Sequence, residues 1–348
     1  MKVAVVGAGN GGYAMAADLT LRGHVVALHS RDRSKIDAIT ANGGIDLTGI
    51  VGEGRANVAY VGNDIAAAVR DAELIALPVP GMVQEAYLDL LLPRVEVGQA
   101  LWLCPGSGAS LVIQHRLREL GKAGLLVFET LGLPYGTRRT GDASVAVRAR
   151  YRAQSAAFPA RRTPEALAIL ERLYPCEAAT NVLETALMNV NAIIHPLPSL
   201  MNWGAIELRK GAFSLYGEGM TAGVLRCLDE IDAERVAVCR ELGLSTLKLD
   251  EIYGLLGARL MYREAMGMGR AEKYEERFIR EDVPIGLVLI ASVGEMVGVR
   301  TPAIDAVITL ASVLYQQDFR ASGRSATRLG IAHLTTPSLL AYLYEGAS

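Results

Sequence analysis

The six residues Gly7-Ala8-Gly9-Asn10-Gly11-Gly12 constrain this chain more than any other segment, because of where they stand. An apolar, β-branched run (residues 3–6) precedes them, and a helical pattern through Ala14, Ala17, Leu19 and Leu21 follows, ending at Gly23. A strand, a glycine-rich turn and a helix in that order form the dinucleotide-binding fingerprint. Gly7 permits the tight turn, Gly9 lets backbone approach a pyrophosphate, and Gly12 lets helix and strand pack closely. Asn10 and Gly11 open the helix, whose N-terminus favours an anion.

The rest of the first half fits such a fold. Up to about Val147, short β-branched runs alternate with helical stretches, which is the pattern of a parallel sheet covered by helices. Strands are predicted at residues 3–6, 25–29, 74–78, 100–103 and 126–128. Their unbroken apolar character is what burial on both faces requires. Beyond about Thr180 the spacing turns helical, through residues 182–194, 222–242, 285–296 and 302–315. The reading is a doubly wound α/β Rossmann domain over residues 1–180 and an all-helical domain over 181–348; a chain of 348 residues is long enough for two such cores.

The end of the second predicted strand bears on the cofactor. An enzyme using NAD(H) commonly places Asp or Glu there to bind the ribose hydroxyls, and this chain has His29-Ser30-Arg31. Without that carboxylate a 2′-phosphate meets no repulsion, and Ser30 and Arg31 supply donors for it. NADP(H) is therefore preferred over NAD(H). If Arg31 only stacks on adenine, either cofactor serves. Pro78, Val79 and Pro80 follow the strand at 74–78, at the sheet edge where ligands of such folds bind, and they join the cofactor set. An ordinary Pro-rich turn is the alternative there.

Hydride transfer also needs a group that handles a proton near neutral pH. Of the five histidines, His24 and His29 flank the second strand, His115 lies among charges and His333 in the tail. His195 follows an apolar helical stretch and is bracketed by Asn191 and Pro196. A carboxylate would fix its tautomer and stabilise its charged form. Asp282, in the segment Arg277-Phe278-Ile279-Arg280-Glu281-Asp282-Val283-Pro284, is such a carboxylate. A buried core histidine and a helix-capping aspartate remain the alternatives.

Four blocks resemble the octopine/opine dehydrogenase family. They are Glu129-Thr130 with Leu133-Pro134-Tyr135 and Arg138; Asn191 to Pro196 with Asn202, Gly204, Ile206 and Glu207; Tyr216 to Thr221 with Asp232, Glu234 and Arg235; and Glu281 to Pro284 with Gly286. Gly136-Thr137 and the non-acidic second-strand ending depart from more familiar members. The resemblance implies a helical domain like the C-terminal domain of 6-phosphogluconate dehydrogenase. It also implies an oxidoreductase that condenses an α-keto acid with the amino group of an amino acid and reduces the product. On it His195 is the acid/base group and Asp282 orients it. Arg138 or Arg277, Asn191 and Thr221 are candidates to hold carboxylates and the carbonyl, with Arg280 competing with Arg277.

Two other readings share this plan. A reductase similar to 2-dehydropantoate reductases would rely on a lysine early in the helical domain, whereas residues 183–196 contain none and Lys210 is the first to follow. A nucleotide sensor without chemistry is the second. Composition narrows the partners: 35 basic against 37 acidic residues leave a formal charge of -2, which offers no field for nucleic acid or an anionic membrane. The apolar run at residues 283–294 is stopped by Glu295 short of spanning length. Cys104, Cys176, Cys227 and Cys239 lack metal or redox spacing and read as reduced thiols, and the chain starts a strand too early for a signal peptide. The expectation is a cytoplasmic enzyme without a metal, whose long apolar helices can support a homodimer.

Overall fold

The computed structural model describes residues 1–209, 212–257 and 276–346, so Lys210 lies outside it. The chain divides into two compact units, Met1–Thr185 with Leu343–Gly346, and Ala186–Tyr342.

The first unit is built on β1 (Lys2–Val6), β2 (Val25–His29), β3 (Ile45–Gly49), β4 (Gly54–Ala56), β5 (Tyr60–Gly62), β6 (Leu74–Leu77), β7 (Ala100–Leu103), β8 (Leu126–Thr130), β9 (Tyr135–Gly141), β10 (Ser144–Arg150), β11 (Ala153–Phe158) and β12 (Cys176–Ala178). Its helices are α1 (Asn10–Leu21), α2 (Arg33–Asn42), α3 (Ile65–Val69), α4 (Gly81–Leu91), α5 (Ala109–Val112), α6 (Gln114–Glu119) and α7 (Thr163–Leu170). An eight-stranded sheet runs β12-β11-β8-β7-β6-β1-β2-β5. Its pairings are parallel except that β11 lies antiparallel to β8. The strand order reverses at β1, between β2 and β6, which is where doubly wound sheets open a crevice for ligand.

The sequence dictates this by burying both faces of the central strands. Val3 and Val5 of β1 enter one core with Leu19, Leu28, Trp102 and Phe128, while Ala4 and Val6 enter a second with Ile75, Leu77, Leu101 and Val127. Polar punctuation sets the helix ends: Asp32 accepts the Ser34 N–H at the start of α2, and Asp64 does the same for Ala66 and Ala67 of α3.

Several expectations need correction. The third expected strand stops at Leu77, before Pro78, which has no N–H for the ladder. The strand at 126–128 continues to Thr130, because Glu129 and Thr130 pair with Ala156 and Ser155 of β11. A second sheet, β4-β3-β10-β9, was not foreseen; its strands are half exposed and carry charged residues among the apolar ones, so they lack the apolar runs of the main sheet. It packs on α1 through Leu47, Val145 and Val147, in the same core as the helix.

The second unit is helical among its described residues: α8 (Val182–Leu187), within which the division falls, α9 (Val190–Ile194), α10 (Pro196–Met201), α11 (Trp203–Arg209), α12 (Ala222–Glu241), α13 (Leu249–Leu255), α14 (Arg277–Arg280), a π-helical turn (Val283–Leu287), α15 (Val288–Met296), α16 (Pro302–Tyr315), α17 (Phe319–Ser322) and α18 (Thr336–Glu345), whose end from Leu343 belongs to the first unit. The stretch expected as one helix over 182–194 is two. Asn189 adopts an extended conformation and its side chain accepts the Asn191 N–H, which ends one helix and starts the next. The helix expected from residue 285 begins instead as the π-helical turn at Val283. No described helix is long and apolar enough to cross a membrane.

Candidate functional site

The glycine turn at the end of β1 closes by steric necessity. Gly7 has φ +118°, and a Cβ there would fall 2.4 Å from Val79 Cγ1, so the loops following β1 and β6 touch. A Cβ on Gly12 would fall 1.8 Å from the Gly7 carbonyl oxygen; the first turn of α1 sits directly on the strand's end. Gly9 differs, because a Cβ there would meet nothing within 4 Å. The turn is therefore tight against protein at Gly7 and Gly12 and open at Gly9, as a cradle for an incoming phosphate must be.

No side chain caps α1, so the N–H groups of its first turn remain for an anion. Asn10 contributes through backbone, because its side-chain oxygen already accepts the Arg139 N–H of β9 at 3.0 Å. These features fit the pyrophosphate of a dinucleotide on residues 7–12, beside the buried Pro78 and Val79 and the exposed Pro80.

At the end of β2 the Arg31 guanidinium lies 4.3 Å over the ring of Tyr87, a buried residue of α4, and that ring meets His29 edge-on at 6.2 Å. The stacking holds an exposed cation in place, and among the described residues no acidic side chain forms an ion pair with it. Burial pushes the His29 imidazole below its usual pKa, so it adds no charge beside Arg31. The Ser30 hydroxyl is engaged locally, donating to the Asp32 carbonyl and accepting the Asp32 N–H, both at 3.1 Å. Asp32 is an acid close to β2 that the sequence reading passed over. Its carboxylate caps α2 through Ser34 and is held below the usual range by that hydroxyl and backbone N–H.

In the second unit the structure brings His195 and Asp282 together across 87 positions of sequence. His195 Nδ1 and Asp282 Oδ2 are 2.6 Å apart, with both side chains buried. The Asp282 side chain makes no capping hydrogen bond to the turn it precedes, so its carboxylate serves the histidine. Phe278, four residues earlier, stacks face to face on the imidazole, with ring centroids 3.9 Å apart and planes at 14°. Tyr216 stands 6.4 Å from the same ring. The His195 carbonyl accepts the Ser199 hydroxyl at 2.7 Å, and Pro196 starts α10 immediately after it. The ring is thus fixed from its edge, its face and its backbone. With Nδ1 turned to the carboxylate, Nε2 is the atom left to take or give a proton.

The remaining candidates are spread out. Asn191 opens α9 one turn before His195, and its carbonyl accepts the His195 N–H at 3.1 Å. The Arg277 guanidinium lies 5.4 Å over Phe278, the ring that covers His195. Arg280 pairs with Glu276 at 2.5 Å and lies 4.6 Å over Tyr315, which sets it apart from that stack. Thr221 is exposed and caps α12 by accepting the Val224 N–H at 3.5 Å. Arg138 is exposed on β9 of the first unit, opposite Ala146.

Glu129, Tyr135, Asp232, Glu234 and Arg235, all within the family-like blocks, have structural partners. Glu129, fully buried, accepts N–H groups of Gly108 and Ser110 at 2.9 and 2.7 Å and so anchors the loop after β7. Tyr135 donates to Asp18 at 2.6 Å, and burial raises its hydroxyl well above the usual range, which keeps it a donor. Glu234 accepts the Ala303 and Ile304 N–H groups at 2.7 and 2.9 Å, capping α16, while the fully buried Arg235 binds Asp232 at 2.7 Å and the Leu247 carbonyl at 2.6 Å. Sequence reasoning missed Phe278 and Tyr87. The signal for Phe278 was its helical spacing of four from Asp282; for Tyr87 there was none.

Comparison with known proteins agrees with both units. Residues 2–130 match the NAD binding domain of 6-phosphogluconate dehydrogenase, and residues 178–315 match the alpha-helical domain of NAD/NADP octopine/nopaline dehydrogenases. The chain is 34% identical to an opine dehydrogenase of Arthrobacter sp. (strain 1C), with 97% of each protein covered. Its fold is similar to that of octopine dehydrogenase solved with NADH and L-arginine, at a TM-score of 0.76 and 18% identity over 98% of each chain. It is also similar to that of yersinopine dehydrogenase with NADP+, at a TM-score of 0.71 and 14% identity over 99% and 98% of the two chains. The chain belongs to the opine dehydrogenase family and is an NAD(P)-dependent oxidoreductase.

Proposed function

We propose that this enzyme uses NADPH to condense an α-keto acid reductively with the amino group of an amino acid, residues 1–180 carrying the cofactor and 181–348 the substrates. The buried, ring-stacked His195–Asp282 hydrogen bond of 2.6 Å carries the reading. In the reaction the keto carbonyl and the amine join as an imine with loss of water, and hydride plus a proton convert the imine to a secondary amine. The cofactor supplies the hydride. His195 Nε2 gives protons to the departing carbonyl oxygen and takes them from the amine, and the Asp282 carboxylate stabilises the imidazolium while holding the ring.

A carboxylate on the substrate needs paired donors, and Arg277, which shares Phe278 with His195, supplies them better placed than Arg280. Asn191 lies one helical turn from the same histidine and is assigned to the carbonyl. Arg138, in the first unit, and Thr221, in the second, are each candidates for a substrate carboxylate or carbonyl. NADPH over NADH is supported by Arg31 on Tyr87 and by the commitment of Asp32 to α2. All four cysteines are free thiols, which suits a cytoplasmic enzyme.

The test is NADPH oxidation by the purified protein with pyruvate or 2-oxoglutarate, alone and with each of a panel of amino acids. Oxidation that needs both partners is the expected result. Oxidation with the keto acid alone moves the enzyme to the ketoacid reductase class.

A further inference from the structure

Four residues beyond Asp282, the π-helical turn carries Gly286, and it has no room for a side chain. A Cβ there would lie 2.3 Å from the Cβ of Ala192 and 3.4 Å from its Cα. Ala192 is buried on α9, three residues before His195. The same two segments therefore meet twice: Gly286 against Ala192, and Asp282 against His195.

The turn is held on another side as well. The Pro284 carbonyl accepts the Arg324 N–H at 2.8 Å, and a Cβ on Gly323 would fall 2.7 Å from that carbonyl oxygen and 2.7 Å from the Phe319 carbonyl oxygen. A π-turn frees carbonyls that an α-helix would occupy, and one of them is fastened here by the chain after α17. Backed by Gly323 and Arg324, the turn has nowhere to retreat when its approach to α9 is disturbed.

We propose that Gly286 and Ala192 are positioning residues, a steric spacer that sets the separation of the π-turn from α9 and with it the His195–Asp282 hydrogen bond. The proposal rests on the reading of that pair as the proton-handling group. Neither contact atom of Ala192 is the end of a flexible chain, so a methyl group at 286 is accommodated only by moving backbone. Carbon atoms in ordinary contact stand about 3.5–4.0 Å apart, which means a shift of roughly 1.2 Å or more. Added to a bond of 2.6 Å, the same shift stretches it past about 3.5 Å, where a side-chain hydrogen bond is lost.

The experiment compares Gly286→Ala, Ala192→Gly, the double variant and His195→Asn by kcat, NADPH Kd from cofactor fluorescence, and thermal melting. Gly286→Ala is expected to lose about thirtyfold in kcat at unchanged NADPH Kd. Ala192→Gly removes the opposing methyl, so the double variant is expected to return to within about threefold of Ala192→Gly alone. If Gly286→Ala does not fold, the double variant carries the test, being expected to fold and turn over. Wild-type kcat in Gly286→Ala, or a folded double variant no faster than Gly286→Ala, overturns the spacer. His195→Asn separates the two levels: if it keeps wild-type turnover the pair itself is not the proton-handling group, whereas an inactive His195→Asn beside an active Gly286→Ala removes only the spacer.

Discussion

Replacing Asp282 by asparagine isolates the charge in the His195–Asp282 pair, since the two side chains have nearly the same shape. The bond is short at 2.6 Å and buried, with Phe278 covering the imidazole face. Asparagine can still accept a hydrogen bond from Nδ1–H, but it brings no negative charge to meet the imidazolium that the proposed proton transfer forms. A hydrogen bond to a charged group contributes about 1.5–3 kcal/mol, and a buried cation left without its partner costs more. A loss of about 3 kcal/mol in the transition state is therefore expected, or roughly a hundredfold in kcat. Because the pair lies in the second unit and the glycine turn in the first, NADPH affinity should not change. The assay follows loss of reduced nicotinamide under saturating keto acid and amino acid, with NADPH titrated separately by fluorescence. A kcat within about threefold of wild type would refute the electrostatic role. A matching loss of NADPH affinity would instead point to damage of the fold.

His195→Ala should lower turnover by about two to four orders of magnitude at unchanged NADPH Kd, measured in the same way. Arg31→Ala should weaken NADPH by about tenfold while NADH changes by no more than about twofold, and equal weakening of both removes the 2′-phosphate assignment. Glu234→Ala leaves two α16 N–H groups without their cap and should cost about 2 kcal/mol, read as a melting point lower by about 4–8 °C. Among the thiols, the exposed Cys227 should be alkylated first at neutral pH. Cys176, half-buried and pushed up to about 11 by burial, should react slowly and speed up about tenfold per pH unit as its thiolate grows toward that value, followed by mass spectrometry.

How much of this was legible in the sequence depends on whether the signal was local. The fingerprint was, because Gly7, Gly9 and Gly12 act within one turn, and the structure gives each the space or the closeness that its role demands. The parallel strands were legible as apolar runs, since burial on both faces leaves nothing else. The second sheet was not: Asp46, Arg55, Arg138 and Arg139 stand among glycine and threonine, and the local pairs β3–β4 and β9–β10 are joined into one sheet only where Asp46 of β3 meets the distant Ser144 of β10. Nor was the π-helical turn, because the pattern Val283-Pro284-Ile285-Gly286-Leu287 reads as the first turn of an α-helix.

The pairing of His195 with Asp282 occupies a middle position. Residue chemistry named both groups, and resemblance joined them, but each kept a plain structural alternative that only geometry decides. The capping alternative for Asp282 fails because its carboxylate is spent on the imidazole instead of on the turn behind it. The same geometry works against other members of the blocks. Asp232, Glu234 and Arg235 stand in a quoted block beside Thr221, yet all three are consumed by helix caps and a buried ion pair within α12, α13 and α16. Glu129 and Tyr135 are likewise consumed inside the first unit. A charged residue in such a block can thus be fastening backbone, and the mark of one able to meet substrate is a reactive atom left over. By that criterion His195 qualifies through Nε2, and Glu234, with both oxygens on backbone amides, does not.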